Sequence, residues 1–167
     1  MNPNWAHLHL MVNHLPLFAA IAGLLLLASG LAKGNPALLR AGLVACVLAG
    51  VGTYASTFSG HRAEDWAQGM PSVTEEVISE HEEAAEQSQY AAYPLGIVAL
   101  FTLFRPKRSL QILALVLALA TTAAMVRVAE LGGQVRHTEI RAGAPVPGEG
   151  TGGHDHEAGE HGEAGHE

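Results

Sequence analysis

Ten histidines are spread along the 167 residues, and their placement is uneven. His7, His9 and His14 stand near the start, with Pro16 two residues after His14, and His81 lies in an acidic stretch. His137 follows Gly132 and Gly133, and His154, His156, His161 and His166 lie close to the end. Imidazole is the usual axial ligand of a b-type haem and the commonest ligand of divalent transition metals. Arg127, Arg136 and Arg141 could pair with carboxylates such as haem propionates, which favour bidentate guanidinium partners. Glu130, three residues after Arg127, could pair with that arginine or join histidines around a non-haem metal. The bland use of the same residues is a polar cap, hydrogen-bonded to loop carbonyls. No Ser–His–Asp order, no His-Glu-x-x-His and no Gly-rich loop after a strand occurs, which excludes a soluble hydrolase. Cys46, the single cysteine, excludes a disulfide framework and a Cys-ligated zinc site.

The elements that must position these groups are apolar. Hydrophobic residues make up 49% of the chain and charged residues 15%, against about 25% charge in a soluble domain. Four runs, at about 10–31, 37–58, 83–104 and 110–131, approach the roughly 20 residues needed to cross a bilayer. The third borrows its first turns from a polar helix before it. The reading is an all-α bundle of four transmembrane helices over residues 1–141, with a helical extension before the third. The leader MNPNWAHLHL has no Lys or Arg, so the first run is expected to be a permanent span. Lys33 and Arg40 in one short loop, and Arg105, Lys107 and Arg108 in another, face the cytoplasm by the positive-inside rule. Both termini are then extracytoplasmic and the chain is a multi-pass protein of the plasma (inner) membrane. Without the acidic tail the chain is nearly neutral, which leaves no basic surface for nucleic acid.

The polar residues collect at the outer ends of these helices. Tyr54, Thr57 and His61 share one face of the second, and Arg127, Glu130, Gln134 and His137 share one face of the fourth. Such stripes are expected to turn inward or to line a wet cavity. Ser72 to Glu75 reads as a capping box, starting a helix with Val73, Val77, His81, Ala84 and Ala85 along its apolar stripe. Pro94 could kink this helix, Gly132 and Gly133 could end the last one, and Gly50 and Gly52 favour close helix packing. Histidines from three helices thus converge on one side of the membrane, and none of the ten lies on the other. Residues 142–167 have no apolar set able to form a core and are expected to be disordered. Their His154, His156, His161 and His166, interleaved with carboxylates, could bind zinc, copper or nickel weakly.

The strings His9-Leu-Met-Val-Asn-His14-Leu-Pro16, Ser79-Glu-His81-Glu-Glu-Ala84-Ala85 and Leu131-Gly-Gly-Gln-Val-Arg-His137-Thr-Glu-Ile-Arg141 resemble an uncharacterised bacterial family of four-span membrane proteins. It is similar to a domain-of-unknown-function family that occurs beside redox modules. The resemblance covers roughly residues 7–141 and excludes the tail. It implies His9, His14, His81 and His137 as shared positions, with Gly132, Gly133 and Arg136 around the last. Two positions depart from the family pattern. Thr57-Phe-Ser-Gly-His61-Arg replaces Thr-Gly-Glu-Pro, which argues against a shared role for His61, and Leu10 replaces a Pro. The redox neighbours imply electron transfer by association only.

Three readings follow. The first is a haem-binding electron-transfer subunit, not an enzyme on its own, with haem b held by two of His9, His14, His81 and His137 and an extracytoplasmic redox partner. The second is a membrane protein that handles or senses a divalent metal. The third is a structural subunit of a membrane complex.

Overall fold

The computed structural model describes residues 4–68, 74–137 and 140–141. Among them there is no strand, and five helices follow one another: α1 Trp5–Val12, α2 Leu15–Lys33, α3 Pro36–Gln68, α4 Glu75–Phe104 and α5 Arg108–Arg136. The connections carry local signals for stopping and starting. Gly34 ends α2 in the left-handed region at φ 62°, with its N–H on the Gly30 carbonyl, a conformation that suits glycine. Asn35 then caps α3, its Oδ1 accepting from the N–H groups of Ala37 and Leu38 at 2.9 and 3.3 Å. Helices α2 to α5 form a ring in which each packs on its chain neighbours and α2 closes onto α5, while α1 folds back against α3.

The packing inverts the usual order of a soluble bundle. Small residues hold the centre, with Ala20, Cys46, Ala49, Ala92, Ala99, Ala114 and Ala118 wholly buried beside Leu27 and Leu95. Large ones face outward: Phe18 is 65% exposed, Val51 60%, Ile97 69% and Leu119 60%. Lipid is as apolar as leucine, so helices in it associate through close backbone approach instead of burying large side chains. The glycines show that approach. A Cβ on Gly42 would lie 2.8 Å from the Leu27 amide nitrogen, and one on Gly50 would lie 3.2 Å from the Ala92 carbonyl oxygen. Among the described residues three helical stretches are long and apolar enough to cross a membrane: Trp5–Lys33, Pro36–Glu64 and Arg108–Val135. This is a helical membrane protein.

Several boundaries differ from those expected. The first run is broken at Asn13 and His14 into α1 and α2, and α3 continues well past residue 58 to Gln68. Thr74 is the N-cap of α4 and its side chain makes no capping bond; Ser72 and Val73 lie outside the described residues. Gly132 and Gly133 do not end α5, which runs on to Arg136 because its backbone bonds continue through them.

Candidate functional site

The break at Asn13 and His14 lets α1 lie along the outer part of α3. Asn4 starts α1 by accepting the His7 N–H at 3.0 Å, and Trp5 meets Phe58 edge to face at 5.8 Å. One turn further, the His9 ring lies on Gly60, where a Cβ would come within 3.2 Å of its Cε1. His9 Nδ1 is 3.1 Å from the Ser56 carbonyl oxygen and 3.3 Å from Ser59 Oγ. The Ser59 hydroxyl already donates to the Ala55 carbonyl at 2.8 Å. A carbonyl can only accept, so in this contact Nδ1 carries the proton, and among the described residues the Nε2 lone pair has no hydrogen-bond partner. This outer contact is the kind that orients an imidazole for ligation.

His81 stands on the inner face of α4, in line with buried Ile78, Ala84 and Ser88. Its ring rests on Gly132 of α5, where a Cβ would lie 2.9 Å from Cε1. Its Nδ1 is buried with no hydrogen-bond partner. Burial pushes the His81 imidazole below its ordinary pKa, and the charge of His9 adds to this, while the Val128 carbonyl acts the other way. The His9 ring, seated on Gly60 of α3, and the His81 ring, seated on Gly132 of α5, lie toward the same end of the bundle, near enough for the charge of one to act on the other. Among the described residues two more buried polar atoms have no hydrogen-bond partner, Asn13 Oδ1 and Thr121 Oγ1. Leaving each unpaired costs about 1–3 kcal/mol. By contrast, the buried hydroxyls of Thr53 and Ser88 are satisfied by the Ala49 and Ala85 carbonyls.

The other expected site residues are placed differently. His14 is exposed; its ring meets that of Phe18 edge to face at 6.3 Å, and its charge acts on His9. His137 is the exposed C-cap of α5. Arg127 and Glu130 are both exposed and, among the described residues, make no ion pair with each other. The polar stripe of α5 therefore faces out of the bundle, and Val128 and Gly132 are what α5 presents to His81. Arg141 caps the same helix, with Nε on the Gln134 carbonyl at 2.8 Å and Nη2 on that of Val135 at 3.3 Å. The side chain of Arg136 and the tail histidines 154, 156, 161 and 166 lie outside the described residues. Ser56, Ser59 and Gly60, which seat His9, were not singled out by the sequence, although they are interleaved with the stripe of Tyr54, Thr57 and His61 that was.

A second polar contact joins α3 to α4. Glu82 is pushed above the ordinary carboxyl range by desolvation first, then by the charge of Glu64; His61 opposes the shift, and Glu86 and a hydrogen bond to Glu64 add to it. A carboxyl whose folded pKa is raised stabilises the fold at low pH and loses that contribution as pH rises through the folded value. Glu82→Gln is therefore expected to raise the unfolding temperature at pH 7. The gain should vanish below about pH 4.5, the ordinary value, where the native carboxyl is protonated in both states. Thermal unfolding followed by circular dichroism at the two pH values measures this.

Among the described residues, no group of three or more His, Cys, Asp or Glu is placed to hold a metal ion. Comparison with protein-family models, with curated proteins and with solved structures finds no match.

Proposed function

We propose that this protein is a four-span subunit of the bacterial inner membrane that binds b-type haem at its extracytoplasmic end and passes electrons to or from a partner there. The observation that carries the reading is the pair of imidazoles, His9 and His81. One is oriented through Nδ1 with its other nitrogen free, and the other has a buried nitrogen that lacks a partner. Haem iron takes four ligands from the porphyrin and needs only two axial ligands from the protein. Bundle cores are standard places for cofactors held by facing helices. The resemblance to a family found beside redox modules supports the same reading, and His14 and His137 drop behind as ligands because both are exposed.

The fourth crossing is α4. Its acidic first turns lie outside the bilayer, and its second half presents Ile97, Phe101 and Phe104 outward while Gly96 meets Gly50. Pyridine haemochrome analysis of the purified protein tests the proposal, with haem expected in stoichiometric amount. A haem-free protein from haem-replete cells would end it.

Divalent-metal handling is favoured at the tail alone, through its His-x-His spacing and carboxylates. At the bundle end a zinc or copper ion would need at least a third protein ligand beside the two imidazoles. Deleting residues 149–167 is expected to remove weak zinc binding and leave haem content unchanged. Isothermal titration with zinc and the haem assay on the same sample measure both.

A further inference from the structure

Outside the histidine pair, the most unusual polar group is Arg62. Its guanidinium carbon lies 4.7 Å from the centre of the Trp5 ring and 4.4 Å from that of Phe58. Those two rings stand at 79° to one another, so the cation occupies a corner with an aromatic face on each wall. Among the described residues no carboxylate or carbonyl accepts from its five N–H groups, and the residue is exposed. The rings hold the guanidinium in place and leave its hydrogen-bonding edge free.

The position along α3 says what that edge meets. Val44, Leu48, Val51, Tyr54 and Phe58 are all exposed on the same helix and lead up to Arg62. Tyr54 stacks on Phe58 with centroids 6.1 Å apart, as aromatic residues do at the membrane–water interface. Exposed Arg40 lies at the other end of the stripe. The interval between the two arginines is about 33 Å at 1.5 Å per residue, close to the roughly 30 Å of hydrocarbon in a bilayer. Glu64 is turned the other way, toward Glu82 of α4, and does not compete for the guanidinium.

We infer that Arg62, held by Trp5 and Phe58, is a binding site for the phosphate of an anionic phospholipid whose acyl chains cover the apolar stripe below. A planar guanidinium recognises a phosphate through two parallel hydrogen bonds. The lipid is the source of that phosphate because the apolar stripe is continuous with the cation. The inference rests on the membrane reading of α3 and is independent of haem.

Trp5 reports on the site directly once Trp66, the only other tryptophan, is replaced by Phe. The protein is reconstituted in phosphatidylcholine vesicles, and quenching of Trp5 is measured with brominated phosphatidylglycerol and with brominated phosphatidylcholine. A preference of about fivefold for phosphatidylglycerol is expected, from one basic group at an anionic headgroup. Arg62→Gln should abolish it, Arg62→Lys should keep part of it, and millimolar inorganic phosphate should leave it unchanged. Equal quenching by both lipids, or a preference that survives in Arg62→Gln, would overturn the site. Loss of the preference on adding phosphate would overturn the lipid as its source. If Arg62→Gln does not insert, Phe58→Leu, which removes one wall and keeps the charge, is expected to lower the preference; an unchanged preference there would also overturn the site.

Discussion

His81→Ala is expected to empty the proposed haem site while leaving the helical content of the protein intact. The ring occupies the face of Gly132, and its removal leaves two small residues opposed across α4 and α5. The bundle loses little there, because its packing rests on the alanine and glycine contacts deeper in, around Ala92, Ala99, Ala114 and Ala118. The haem, in contrast, would lose one of two protein ligands. Loss of a contact behind a ligand lowers metal affinity by about 10–100-fold, so loss of the ligand itself should exceed that range. Ser59→Ala, which removes only the outer hydroxyl near His9 Nδ1 and leaves the Ser56 carbonyl in place, should fall at the mild end. His14→Ala and His137→Ala should retain haem, since both residues are exposed. Haem content per chain after purification ranks the four variants. Full occupancy in His81→Ala would remove that residue from the site.

The second large effect concerns the fold. Gly42→Ala is expected to destabilise the bundle by about 1–3 kcal/mol, the usual cost of overpacking a tight contact. The added Cβ would lie 2.8 Å from the Leu27 amide nitrogen and 2.9 Å from Leu27 Cγ. The first of these is backbone and cannot swing aside, so α2 and α3 must separate. Gly96→Ala provides the contrast, because its nearest neighbour, the Gly50 Cα, would be 3.4 Å away, an ordinary van der Waals contact. Thermal unfolding in one detergent, followed by circular dichroism, compares the pair. Equal midpoints for Gly42→Ala and wild type would show that α2 and α3 are not held as closely as described.

Some of this arrangement was legible in the residues and some was not. His81 could be placed on the inner face of α4 because that helix is amphipathic before residue 90: acidic side chains mark its wet face and Ile78 and Ala84 its dry one. On α5 the same logic failed. Arg127, Glu130, Gln134 and His137 do share a face, but spacing shows only that they lie together. In a helix apolar on all sides, nothing in the pattern says whether that face looks in or out. Small residues decided it, since Gly132 and Ala118 pack closely and the large side chains were left for lipid. His9 was named, but its setting was not: Asn13, His14 and Pro16 do signal a helix start, but the pattern does not say that α1 turns back onto α3. Only with α1 folded against α3 do Ser56, Ser59 and Gly60 meet the ring. The close contacts of Gly50 and Gly52, by comparison, follow directly from small residues in an apolar helix.

The most direct test of haem ligation by His9 and His81 is an absorption spectrum of the purified protein, recorded air-oxidised and then reduced with dithionite. Zinc, copper and iron are measured on the same sample. Two imidazole ligands should give a low-spin haem, with a Soret band that shifts on reduction and a narrow alpha band. Both features should be lost in His9→Ala and in His81→Ala. A colourless wild-type protein from haem-replete cells, or a low-spin spectrum that survives both substitutions, would contradict it.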